Sequence, residues 1–246
     1  MFIKSTSISI NYEKINNLKM IYYHNDEILK AHFNEATVLP VPDEAPMEVP
    51  RIVAITKNEH AQLSITPVAA TIQIDYDNGY EHEWKKCESY IKELMVIVFN
   101  FFDKIADNKY KYMGIVTTLF LDDFSGNVAQ MLSSNLLKEN NKELYDINIR
   151  YTFTKGSDEF INISLQNARM FKNEADENKA GLLSENYEIC QHVGVVIDIN
   201  NRYAFNTIRG YTTPSQEINN LLNTMTDVVQ NKLTSLVRKG VYENGE

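Results

Sequence analysis

The chain has 246 residues, 43% of them hydrophobic and 23% charged, enough apolar material for a sizeable core in one large or two modest domains. Its 24 Lys and Arg stand against 33 Asp and Glu, and the net charge of −9 argues against nucleic acid and anionic membrane as partners. Two cysteines, Cys87 and Cys190, make no disulfide scaffold; the start of the chain lacks a signal-peptide core, and the longest apolar run, residues 94–99, falls far short of the ~20 residues of a membrane span, so a reducing cytoplasm is the expected location.

Ser7-Ile8-Ser9-Ile10 alternates as a strand does. Residues 14–33 fit a helix through Ile15, Leu18, Ile21 and Tyr22, with a competing strand over 20–23. Residues 37–50 carry Pro40, Pro42, Pro46 and Pro50, which remove backbone donors and force extended geometry. That stretch reads as a connector lying against another surface. Residues 51–56 form a strand, and 61–76 a long strand with a fault: Leu63 and Ile65 set one parity, Ile72, Ile74 and Tyr76 the other, with Pro67 between, so a bulge or break is expected.

Asn78-Gly79 turns the chain into the element around which the rest is organised, a helix over 80–107. Cys87, Ile91, Leu94, Met95, Val98, Phe102 and Ile105 recur at helical spacing; the first half is charged on its other side and the second half is apolar nearly all round. At 1.5 Å per residue it spans about 40 Å, enough to back a sheet. A strand follows over 109–121, then a shorter helix over 125–137 capped by Asp123 or Ser125. Residues 147–153 and 160–165 form a hairpin around Lys155-Gly156-Ser157-Asp158. The charged tract 172–179 reads as a solvated hairpin tip, 187–199 as a strand and 200–212 as a loop. The last helix is expected to open at Thr213, with Pro214 in its first turn and Gln216 completing a capping box, and to end at Gly240.

These elements predict an α+β fold, mostly antiparallel sheets backed by two long helices, in two related halves, 1–143 and 144–246. Three stretches carry a likeness: residues 76–84 leading into the first long helix, the strand 112–121, and Val195-Val196-Ile197-Asp198-Ile199 before the terminal helix. In these the chain resembles a sporadically distributed bacterial family without an assigned function. The resemblance runs from about Arg51 onward on loose apolar patterns; it implies no catalytic residue and is compatible with a phage-defence or toxin–antitoxin setting.

The chemistry in the sequence is sparse. There is no HExxH, CxxC or HxH, no GxxxxGK[ST] or GxGxxG, and no GxSxG. Cys190 and His192, two apart on a strand, share a face and could seed a metal or thiolate site with a third ligand from elsewhere; Asp75 with Asp77 and Asp122 with Asp123 could hold a hard cation or act in acid/base work, but sit at strand ends, where aspartates usually form turns and caps. Arg and aromatic residues interleave in Arg202, Tyr203, Phe205, Arg209 and Tyr211, a composition that anchors protein interfaces; His60 and Gln62 form a second polar cluster. The expectation is a non-catalytic binding or assembly protein of a bacterial cytoplasmic complex, with a protein partner or further copies of itself. No catalytic residue, metal or cofactor is assigned. The competing expectation is an enzyme or small-ligand sensor with a site built from dispersed Cys, His and Asp residues.

Overall fold

Apolar–polar alternation along most of the strand segments gives each strand one greasy side, and those sides meet in a single sheet. The computed structural model describes residues 1–42, 44–77, 79–106, 110–124, 126–171 and 188–242. Its strands are β1 (Phe2–Tyr12), β2 (Thr37–Val38), β3 (Ile52–Ile55), β4 (Ala61–Ile65), β5 (Ala69–Asp75), β6 (Tyr110–Leu121), β7 (Asn148–Lys155), β8 (Glu159–Phe171) and β9 (Glu188–Asn200). They lie in the order β2-β3-β4-β5-β1-β6-β9-β8-β7, every neighbour antiparallel. The β6–β9 ladder joins strands from both sides of residue 143 in this one sheet.

The helices are α1 (Leu18–Asn25), α2 (Glu27–Lys30), α3 (Trp84–Ile105), α4 (Val128–Leu132), α5 (Arg202–Thr207), α6 (Glu217–Asp227) and α7 (Leu233–Lys239). A π-helical segment, Ser133–Leu137, continues α4; another, Val228–Lys232, joins α6 to α7. All but α5 lie on one side of the sheet. Their apolar stripes cover Ile8, Ile10 and Tyr12 of β1, Met113, Ile115 and Leu119 of β6, and Val195, Ile197 and Ile199 of β9, each 0% exposed. Each such side chain contributes roughly 1.5–3 kcal/mol by leaving water.

The long helix is present but shorter than expected, with Tyr80–Glu81 in a turn before it. Its buried stripe includes Cys87, Ile91, Val98, Phe101 and Phe102; Tyr12 lies 5.3 Å from Phe102, ring to ring. The second half is not enclosed on every side, since Val96 is 63% exposed. Trp84 Nε1–H donates to Thr226 Oγ1 at 2.9 Å and ties α3 to α6. A hydroxyl chain satisfies the polar groups buried under the helices: Tyr76 donates to Thr6 Oγ1 at 3.2 Å, and Thr6 and Thr117 Oγ1 are 3.1 Å apart.

Other expectations are corrected in detail. The ambiguous stretch 14–33 holds two helices, α1 and α2, and no strand over 20–23. Of the bulge or break expected at Pro67 the structure has the break, and it is the turn of the β4–β5 hairpin, closed by Ala69 N–H donating to Thr66 Oγ1 and Thr66 N–H to Ala69 O. Each strand therefore keeps its own parity. The cap of α4 is Asn127, whose Oδ1 accepts from Gln130 N–H, while Asp123 pairs with Arg238. The terminal helix does not open at Thr213. That residue is buried, bridges to Tyr110 and accepts from Asn201, so helical geometry begins at Glu217. The run then passes through the π-helical segment instead of staying one regular helix, and Gly240, with φ of 72°, ends it. Asn78, Ser125 and the tract 172–179 lie outside the described residues.

Candidate functional site

The same alternation that buries one side of the sheet sends the other to solvent. From β5 across to β7, the second side presents Thr71, Gln73 and Asp75; Ser5, Ser7, Ser9 and Asn11; Tyr112, Val116 and Thr118; Val196, Asp198 and Asn200; Asn162 and Ser164; and Arg150 and Thr152. Few are charged: of the residues just named only Asp75, Asp198 and Arg150 carry full charges, in a chain where 23% of residues do. Hydrogen bonds run across the strands. Thr152 Oγ1 donates to Asn162 Oδ1 at 2.9 Å, Asn162 Nδ2 donates to Asp198 Oδ2 at 3.4 Å, and Asn200 Nδ2 to Asp198 Oδ1 at 2.8 Å. Gly114 and Gly194 lie in this side, where a Cβ would come within 3.1 Å of Asn200 Cβ or Gln166 Cγ; their bareness keeps the surface low.

Residues 200–212, expected as a loop, contain α5, which stands at one rim of this open side. The helix is fixed by Asn201, fully buried: its Oδ1 accepts from Met113 N–H at 2.8 Å, and its Nδ2 donates to Thr213 Oγ1 at 2.6 Å and Tyr211 OH at 3.2 Å. Of the residues singled out in the sequence, Tyr203 packs on Phe160 with ring centroids 4.5 Å apart and stays 53% exposed. Phe205 lies 5.3 Å from Tyr112, and the Arg202 guanidinium sits 5.6 Å from the same ring. Tyr211 is half-buried, donates to Asp158, and has its hydroxyl pKa pushed up by burial; Arg209 is exposed. Arg202, Tyr203 and Phe205 thus form one cluster with Tyr112 and Phe160, two rings the sequence reading counted merely as strand positions. Their parity, opposite to Met113 and Ile161, is the signal that marks them. His60 and Gln62 are not part of it. They lie at the start of β4, on the far side of β5 and β1 from β6; His60 packs 5.3 Å from Tyr80, and Gln62 is exposed.

The opposite rim holds Cys190 and His192. Cys190 Sγ and His192 Nε2 are 3.4 Å apart, and a ring row runs from His192 through Phe120 (6.4 Å) to Phe2 (6.1 Å). A working thiolate dyad needs an acceptor on the second imidazole nitrogen to orient the base. His192 Nδ1 is enclosed without a hydrogen-bond partner. Asp122, the nearby acid, is bonded by the Met1 ammonium, which holds its carboxyl below the ordinary range. No group of three metal-ligating side chains occurs among the described residues, and none of their helices is long and apolar enough to cross a membrane.

No protein-family model matches the chain, and no curated protein matches it in sequence.

Proposed function

We propose that the protein is a non-catalytic assembly protein whose open sheet side docks on the same side of a second copy. The observation that carries this reading is the one-sidedness of the sheet: among the described residues six helices lie on one side and only α5, at a rim, on the other. Six strands, β5 to β7, at about 4.8 Å spacing and some seven residues long, offer roughly 700 Å². A standard interface takes about 800 Å² per partner. The charges are self-complementary. Asp198 on β9 and Arg150 on β7 flank β8, so a two-fold axis over β8 sets each copy's Arg150 against the other's Asp198. Tyr203 and Arg202 then form the rim anchors. The segments 1–143 and 144–246 are read as two sheet-plus-helix units sharing the sheet, in a reducing compartment that suits two free cysteines.

Size-exclusion chromatography with light scattering tests the reading. The expected result is a dimer at micromolar concentration, a monomer for Arg150→Glu, and a dimer restored by Arg150→Glu with Asp198→Lys. A monomeric parent, or a dimer indifferent to these charges, would overturn it. A Cys/His enzyme is the weaker reading because the imidazole lacks its orienting partner.

A further inference from the structure

We infer that the cleft at the start of α1 is a binding site for a phosphoryl-bearing anion. The cleft, about 440 Å³, is lined by residues 14–20 together with Arg51 and Pro67. Among the described residues its charged lining is Lys14, Lys19 and Arg51, with no carboxylate. In a chain of net charge −9, three cations gathered with no carboxylate among the described lining residues are the reverse of the overall field.

Arg51 is the central observation. It is 3% exposed, yet among the described residues no carboxylate pairs with it. It donates to three carbonyls of the proline-rich connector: Nη1 to Val49 O at 2.8 Å, and Nη2 to Ala45 O at 3.1 Å and Pro46 O at 3.4 Å. Carbonyls occupy three of the five N–H donors of a guanidinium but do not neutralise its charge. Lys19 is held the same way, its Nζ donating to Val41 O at 2.9 Å. Glu13, beside Lys14 in the chain, is engaged by Lys111 at 3.3 Å and does not line the cleft. The start of α1 adds backbone donors. Asn17, at φ 54° and ψ 37°, makes no side-chain cap, so the first N–H groups of this eight-residue helix have neither an intrahelical acceptor nor a capping one. Two or three oxygens of a phosphate group would accept from these donors and supply the missing negative charge. The volume admits a group larger than phosphate alone.

The probe is inorganic pyrophosphate, read by thermal denaturation against potassium chloride of equal ionic strength. The expected result is a Tm rise of about 2–4 °C at pyrophosphate several-fold above Kd. Chloride should give no such rise. Lys14→Gln combined with Lys19→Gln, both side chains at the surface of the cleft, should abolish the shift while leaving the ligand-free Tm within about 2 °C of the parent. Because loss of Lys19 also frees Val41 O, Lys14→Gln alone serves as the second variant and should weaken binding by roughly fivefold or more. Absence of a pyrophosphate shift in the parent, or a shift that persists in the double variant, would overturn the assignment.

Discussion

The two sides of the nine-stranded sheet come from the same strands and have opposite fates. On one, Ile8, Ile115 and Ile199 lie side by side at 0% exposure beneath α3 and α6; on the other, Ser7, Val116 and Asp198 lie one residue away and meet water. The lesson is that a strand's periodicity assigns residues to sides but not a cover to each side. A parity set of Ser, Thr, Asn and Val demands no helices over it, and an antiparallel sheet tolerates water on such a side; under the proposed function it is where the second copy docks. The contrast has measurable consequences.

The largest expected effect is on the covered side. Phe102→Ala empties a site at 0% exposure against Tyr12 and Phe101, and should cost about 3–5 kcal/mol in urea unfolding, with an unchanged m-value. A loss under about 1 kcal/mol would mean that α3 is not clamped on the sheet.

Alkali should attack the same side. Burial pushes the Cys87 thiol up to about 12 and raises the hydroxyls of Tyr12, Tyr76 and Tyr110 above their ordinary range. For groups kept neutral in the folded state, stability is whole below the unfolded pKa, about 8.5 for the thiol and 10 for the phenols. It falls as pH rises beyond those values, because only the unfolded chain can release the protons. Unfolding midpoints should therefore be flat from pH 7 to about 8 and drop steadily above about 9. Native Cys87 should also resist a thiol reagent at pH 8 until denaturant is added; prompt labelling of both cysteines would refute its enclosure.

An intermediate effect is expected where the covered side holds a charge. Glu159 is 9% exposed, and its Oε2 accepts from Thr224 Oγ1 at 2.8 Å, with Lys155 Nζ donating to that same hydroxyl at 2.7 Å. Thr224→Val keeps the shape and removes the hydroxyl, leaving Glu159 with only the looser ion pair to Lys155 at 3.8 Å, at a cost of about 1–3 kcal/mol. A neutral outcome would show that water reaches this junction freely.

How far the sequence foretold this division differs from element to element. The strands other than β2, which lies in the stretch read as a connector, and α3 were legible because tertiary structure only reinforces a local period. The hairpin at Pro67 was half legible: the parity fault was visible, but a reversal and a bulge produce the same fault in one dimension. The π-helical segments left no trace, since Val228 and Val229 satisfy a helical stripe either way. The start of the last helix was misplaced because Thr213 has capping chemistry that is spent on Tyr110 and Asn201, partners far off in the chain. The same Asn201 makes α5 from what reads as a loop. Of the candidate site, residue type found Arg202, Tyr203 and Phe205, but only register shows that Tyr112 and Phe160 complete them and that His60 and Gln62 stand apart.

The smallest expected effect is the most discriminating, because it compares two neighbours on one strand. Ile197→Thr buries a hydroxyl under α6 in place of an alkyl group at 0% exposure, and should cost about 2–4 kcal/mol. Val196→Thr makes nearly the same chemical change on the open side, opposite Thr118 and Ser164, where water or a cross-strand hydroxyl can accept the new donor. Its cost to the isolated fold should be under about 0.5 kcal/mol. If the open side is also an interface, that small figure holds only at dilution: the Val196→Thr penalty should grow with protein concentration as the dimer of the parent forms, whereas the Ile197→Thr penalty should not change. Equal costs at the two positions would abolish the distinction between the sides. A Val196→Thr cost that stays small at every concentration would leave the open side a surface without a partner copy.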